Sequence, residues 1–150
     1  MEKLLFICTG NTCRSPMAEY LVRDMIEKQG LSDRVTVASA GMAAAEGEPA
    51  SQNTLIALQN RGIDANAHRA RQLSPELVKQ ATRIYVMTET HRDAILRVLP
   101  DAAEKITVIG IPDPYGMNLD AYEACLDAIC RFFEKELQNI IHQEADSKGD

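Results

Sequence analysis

The chain has 150 residues, 45% hydrophobic and 25% charged, with a formal net charge of −6; this is the composition of a globular protein long enough to bury a core without staples. The acidic balance and the lack of any Lys/Arg run exclude an electrostatic surface for nucleic acid or anionic membrane. No stretch approaches the ~20 apolar residues of a membrane span, and the N-terminal apolar run is shorter than the roughly 7–15 residues of a signal core, so one cytoplasmic domain is expected.

Lys3 to Ile7 reads as a buried strand, followed by Cys8-Thr9-Gly10-Asn11-Thr12-Cys13-Arg14, a loop of small and turn-forming residues. Ser15-Pro16 then reads as N-cap and first residue of a helix. Met17, Ala18, Leu21, Val22, Met25 and Ile26 give that helix a broad apolar face, and Gly30 stops it. Val35 to Ala38 is a second strand, and the aperiodic stretch from Ser39 to Pro49 is a loop. Ser51 to Arg61 is a helix closed by Gly62. Ser74-Pro75 opens a short helix, with Leu73 and Val78 placed as its hydrophobic staple. Arg83 to Met87 is the third strand; Thr88 caps a helix that runs to Leu99 and ends at Pro100.

Ile106 to Gly110 is the fourth strand, and Ile111 to Asp120 a loop. Leu126, Ile129, Cys130, Phe133, Leu137, Ile140 and Ile141 then form the core stripe of a last helix. Residues 1–143 make the domain, and 144–150 a polar tail. Strands alternating with helices imply an α/β fold, a single three-layer domain in which helices cover both faces of a parallel sheet. Working loops of such sheets lie beyond the carboxyl ends of the strands. The Cys8 loop follows strand one and the Asp113 loop strand four, so both open on one edge.

A tight loop between a strand and a helix turns backbone N–H groups inward, and the helix adds its positive end, which together make an anion nest. A cationic, donor-rich nest favours the thiolate, the reactive form of cysteine. Arg14 can grip two oxygens of one phosphate with its planar fork. Cys8 as nucleophile, Arg14 as clamp and the N–H groups of Thr9, Gly10, Asn11, Thr12 and Cys13 as cradle suit attack on phosphorus. Asn11 is expected in a left-handed conformation that curls the loop, and Ser15 both to cap the helix and to donate to Cys8. Asp113-Pro114 on its own reads as a turn; opposite such a nest it also reads as a general acid for the departing group. Cys125 and Cys130 repeat the C-x₄-C spacing of Cys8 and Cys13 but lie in a helical pattern. Five helical positions turn by about 500°, leaving the thiols about 140° apart, so neither a metal site nor any other cofactor is expected, and both read as core or boundary residues. His91 and His142 read as surface residues.

The string C-T-G-N-T-C-R-S-P-M-A-E, from Cys8 to Glu19, resembles the low-molecular-weight protein tyrosine phosphatase family over twelve contiguous positions. The resemblance implies a four-stranded sheet of order 2-1-3-4 with the nucleophile loop at the switch point, and an acid in an Asp-Pro motif that matches Asp113. It also implies that His68 braces the phosphate loop. For Cys13 two readings stand together, packing and a reversible disulfide with Cys8 that spares the nucleophile from over-oxidation.

Thr12 stands where tyrosine phosphatases of the family usually carry a bulky apolar residue, and Met87-Thr88 replaces a Met-Asp pair. Both features resemble the protein arginine phosphatase branch. The loop Met42-Ala43-Ala44-Ala45 lacks an aromatic, which either branch can carry there. Phosphoarginine on a protein is therefore the favoured substrate and phosphotyrosine the alternative, with a monomer the simplest state. Arsenate reduction would need relay cysteines after the third strand, and residues 82–112 contain none. A phosphate sensor without turnover would have no use for Asp113.

Overall fold

The computed structural model describes residues 1–149. Strand β1 (Glu2–Cys8) is followed by α1 (Arg14–Lys28), β2 (Val35–Gly41), α2 (Gln52–Gln59), α3 (Pro75–Gln80), β3 (Arg83–Val86), α4 (Glu89–Val98), β4 (Ile106–Val108) and α5 (Leu119–Gly149). The strands form one parallel sheet in the order β2-β1-β3-β4, as the resemblance implies.

Alternation along β1 divides the core into two layers. Leu4, Phe6 and Cys8 face α1 and α5, together with Tyr85 and Met87 from β3 and its end. Leu5 and Ile7 face the opposite way, with Ile84 and Val86, towards Val78 of α3 and Ile95 of α4. Both faces are covered, which explains why β1 reads as a continuous apolar run. On the α5 side Phe6 stacks on Tyr85 with ring centroids 5.6 Å apart and meets Phe133 edge-on at 5.4 Å. Burying rings of this size stabilises by about 1.5–3 kcal/mol each, so the strand that carries the Cys8 loop is firmly seated.

Several boundaries differ from the sequence reading. Helix α1 begins at Arg14, with Cys13 in the cap position and no side-chain cap; its first helical bond runs from the Met17 N–H to the Cys13 carbonyl at 3.1 Å. Ser15 is therefore inside the first turn and is not the cap. Pro16 remains tolerable there because the first-turn N–H groups have no helical acceptor. Strand β2 continues through Ser39, Ala40 and Gly41, which pair with Phe6, Ile7 and Cys8, where sequence alone reads a loop. A 3-10 helix, Pro100–Lys105, links α4 to β4. Helix α5 extends through positions 144–149, where a polar tail is expected; Asp150, the last residue of that stretch, lies outside the described residues.

Beyond β4 the chain stays pinned to β3. The Ile109 N–H donates to the Val86 carbonyl and the Ile111 N–H to the Met87 carbonyl, both at 2.9 Å. These bonds bring the chain back over the end of β1 two residues before Asp113.

Candidate active site

The loop after β1 is shaped from outside. The Cys8 carbonyl accepts from Met42 N–H, the Thr9 carbonyl from Ala43 N–H and the Thr12 carbonyl from Ser51 N–H, each at 2.9 Å. These bonds engage carbonyls of the loop and leave its N–H groups to spare. Among the described residues, no protein acceptor takes those of Gly10 to Cys13. Asn11 makes the sharpest turn at φ 58°, the left-handed conformation that asparagine tolerates. Its buried amide holds that turn: Nδ2 donates to Ser15 Oγ at 2.8 Å and Ser39 Oγ at 2.9 Å, and Oδ1 accepts the Arg71 N–H at 2.9 Å.

His68, 4% exposed, reaches the same residue. Its Nε2 lies 2.7 Å from the Asn11 carbonyl oxygen; a carbonyl only accepts, so this nitrogen carries the proton. Glu19 stands behind the ring, accepting from Ser39 Oγ and from Arg23 Nη2. The histidine thus contacts the loop at its left-handed residue.

Cys8 is 3% exposed at the floor of the loop. Ser15 Oγ lies 2.8 Å from its sulfur, and the Ser15 N–H donates to it at 3.4 Å. Because Ser15 Oγ already accepts from Asn11, its own proton is free to point at the sulfur. Two donors and the start of α1 therefore converge on Cys8, an arrangement that stabilises negative charge there.

Arg14 is also buried. Its Nη1 donates to the Ile111 carbonyl at 2.9 Å, Nη2 lies 3.7 Å from Asp113 Oδ2, and its Nε is buried without an acceptor among the described residues. A buried unpaired donor is costly, and here it leaves the guanidinium donors to spare at the loop. Asp113 makes the turn that its sequence allows, at the edge of the same loop. Its Oδ1 closes a turn by accepting the Tyr115 N–H at 3.0 Å, while Oδ2 faces Arg14. Cys8, Thr9, Gly10, Thr12, Cys13, Arg14, Asp113 and Tyr115 line one cleft of about 260 Å³, large enough for a phosphoryl group and the first atoms beyond it.

Cys13 packs at 6% exposure, its sulfur 3.4 Å from Ser51 Oγ and 3.6 Å from the Tyr122 hydroxyl. Burial and then the Cys13 contact push the Tyr122 phenol up to about 12. Cys8 and Cys13 are both free thiols.

His91 is buried, not on the surface where its sequence context puts it. It is 7% exposed, with Nε2 2.9 Å from Thr9 Oγ1 and Nδ1 3.1 Å from Thr88 Oγ1. Burial foremost, and then the nearby Arg14 charge, hold its imidazole below the ordinary range, with Asp113 opposing. The available signal was its helical spacing: His91 lies four positions before the buried Ile95, on the inward face of a helix that starts at the working edge.

Residues 3–146 match the family model described as low molecular weight phosphotyrosine protein phosphatase. A protein-arginine-phosphatase of Geobacillus stearothermophilus is 40% identical over 136 residues, covering 85% of this chain and 88% of that one. A probable low molecular weight protein-tyrosine-phosphatase, EpsP of Ralstonia nicotianae, is 35% identical, covering 87% and 90%. Among solved structures, a cysteine-to-serine mutant of the YwlE arginine phosphatase, with a phosphorylated active-site serine, superposes with a TM-score of 0.80 at 32% identity, covering 85% of this chain and 88% of that one.

Proposed function

We propose that this chain, which belongs to the low molecular weight phosphotyrosine protein phosphatase family, removes phosphate from phosphoarginine side chains of proteins. The observation that carries the substrate is Thr12. It puts a hydroxyl and a methyl, instead of a branched hydrocarbon, on the wall of the cleft that also holds Cys8 and Arg14. The arginine phosphatase among the relatives supports the same reading.

In the first step the Cys8 thiolate attacks phosphorus in line with the departing nitrogen. The S–P bond forms as the P–N bond breaks, and Asp113 gives its proton to that nitrogen, so that a neutral guanidine nitrogen leaves. The free N–H groups of the loop and the spare donors of Arg14 hold the three equatorial oxygens, where charge is spread in the transition state. In the second step the Asp113 carboxylate takes a proton from water as its oxygen attacks phosphorus. The P–S bond breaks, inorganic phosphate departs, and the thiolate returns with Ser15 donating to it. The phosphorylated active-site serine in the YwlE cysteine-to-serine mutant supports a covalent intermediate of this kind.

Phosphotyrosine is the second reading. Tyr115 stands 78% exposed at the lip of the cleft, where its ring offers a face to a phenol; the same face also suits a guanidinium. The deciding experiment compares turnover of phosphoarginine and phosphotyrosine peptides by the wild-type protein and by Cys8→Ser. Preference for phosphoarginine, lost with Cys8→Ser, supports the proposal. Cleavage of phosphotyrosine alone overturns it.

A further inference from the structure

His91 is a buried titratable group that the two steps above leave unused. Its ring spans two hydroxyls, Thr88 Oγ1 at the start of α4 and Thr9 Oγ1 on the wall of the cleft. The Thr9 backbone is held separately, its carbonyl accepting from Ala43 N–H, so the contact with His91 sets where the Thr9 side chain points. We propose that His91 is a positioning residue of the phosphate site: neutral, it fixes the Thr9 hydroxyl at the edge of the nest, and it takes up a proton when an oxyanion fills that nest. The inference rests on reading the Cys8 loop as a phosphate site.

The hydrogen-bond inventory gives the first half. A neutral imidazole has one donor and one acceptor, so between two hydroxyls it fixes both rotors, one Thr donating and the other accepting. A protonated ring donates twice, and the Thr that had donated must turn its proton away. The surrounding charges give the second half. Arg14 faces the ring from the loop and Asp113 from the segment after β4; Cys8 is the thiol of the same loop. On α4 itself Glu89 is exposed and Arg92 pairs with Asp93. With the nest empty, burial and the Arg14 charge disfavour a second cation. A bound dianion offsets the Arg14 charge and tilts the balance towards the imidazolium, and by linkage a lower pH favours the dianion in return.

Inorganic sulfate is the probe, because it stays a dianion from pH 5 to 8 while phosphate does not. The His91 ring nitrogens are followed by ¹⁵N NMR across that range, with and without saturating sulfate. The expected result is a midpoint that rises when sulfate is added; one that stays in place overturns the inference. In parallel, His91→Gln and Thr9→Val are each expected to lower kcat/KM for p-nitrophenyl phosphate by about three- to tenfold, the scale of one net hydrogen bond, and the double variant to lose no more than either alone. Additive losses, which two unrelated structural defects would give, overturn the tie. Should His91→Gln not fold, Thr9→Val alone must shift the His91 titration. A wild-type protein without turnover sinks the phosphatase reading, whereas the sulfate titration needs no turnover and decides the His91 inference by itself.

Discussion

A Cβ placed on Gly41 would stand 2.7 Å from the carbonyl oxygen of Thr9. The same atom would meet the Asn11 nitrogen and the Gly10 carbonyl carbon at 3.0 Å, so the end of β2 is the surface on which the phosphate loop rests. All three neighbours are backbone, and none can swing aside as a side chain would. Gly41→Ala should therefore push the loop off its position. A displacement near 1 Å can cost about a hundredfold in rate, while overpacking of this kind destabilises by roughly 1–3 kcal/mol. The expected outcome is a large fall in kcat/KM with a modest fall in Tm. A variant with wild-type kinetics would show that the loop does not depend on this contact.

Gly41 also marks where the sequence stops being legible. The β1 strand, the loop from Cys8 to Arg14, and Asp113 were readable because each signal is local: an apolar run, a nucleophile and a cation at loop spacing, an Asp-Pro pair after a strand. The sheet order came from the resemblance alone, since strand periodicity does not say which strands are neighbours. Ser39 to Gly41 read as loop because small residues carry little strand signal, and only pairing with Phe6 to Cys8 makes them a strand. Ser15 read as a cap because Ser-Pro is a strong local start signal. Its hydroxyl lies instead against Cys8, the other contact expected of it, and accepts from Asn11, a tertiary demand that overrides the local one. His91 was hidden for the same reason, as its partner Thr9 is 82 positions away.

Asp113→Asn should separate the turn from the proton. Asparagine can still accept the Tyr115 N–H through its side-chain oxygen but cannot donate a carboxyl proton or take one from water. The rate on phosphopeptides should fall roughly 10²–10⁴-fold, the scale of lost general acid–base catalysis. The first step on p-nitrophenyl phosphate, whose leaving group needs little protonation, should suffer less. Equal losses on both substrates would make Asp113 a loop-positioning residue.

Cys13 can be tested by oxidation. Its sulfur sits in the same cleft as Cys8, beside the hydroxyls of Ser51 and Tyr122. If the two thiols pair, mild peroxide should inactivate the enzyme in a way that added thiol reverses. Cys13→Ala should lose more activity irreversibly under the same treatment. Mass spectrometry of the oxidised wild type should find a Cys8–Cys13 link, and its absence would leave Cys13 a packing residue.

Thr12→Ile should move the substrate preference. The Thr12 backbone cannot retreat, because its carbonyl accepts the Ser51 N–H at 2.9 Å and Asn11 before it is held by His68 and Arg71. Any added bulk must therefore project from the wall of the cleft beside the bound phosphoryl group. Isoleucine would replace the hydroxyl with an ethyl branch. That removes a polar group able to orient attacking water or to face a charged guanidinium, and it supplies an apolar surface that favours a flat phenol. Changes of one or two methylenes in a pocket discriminate by about 10–200-fold. The expected result is a fall of that size in kcat/KM for phosphoarginine peptides, with phosphotyrosine turnover unchanged or raised. Measured as a ratio of the two substrates, the effect is insulated from any general loss of folded enzyme. A ratio that stays at the wild-type value would remove Thr12 as the determinant and leave the preference to the Tyr115 lip.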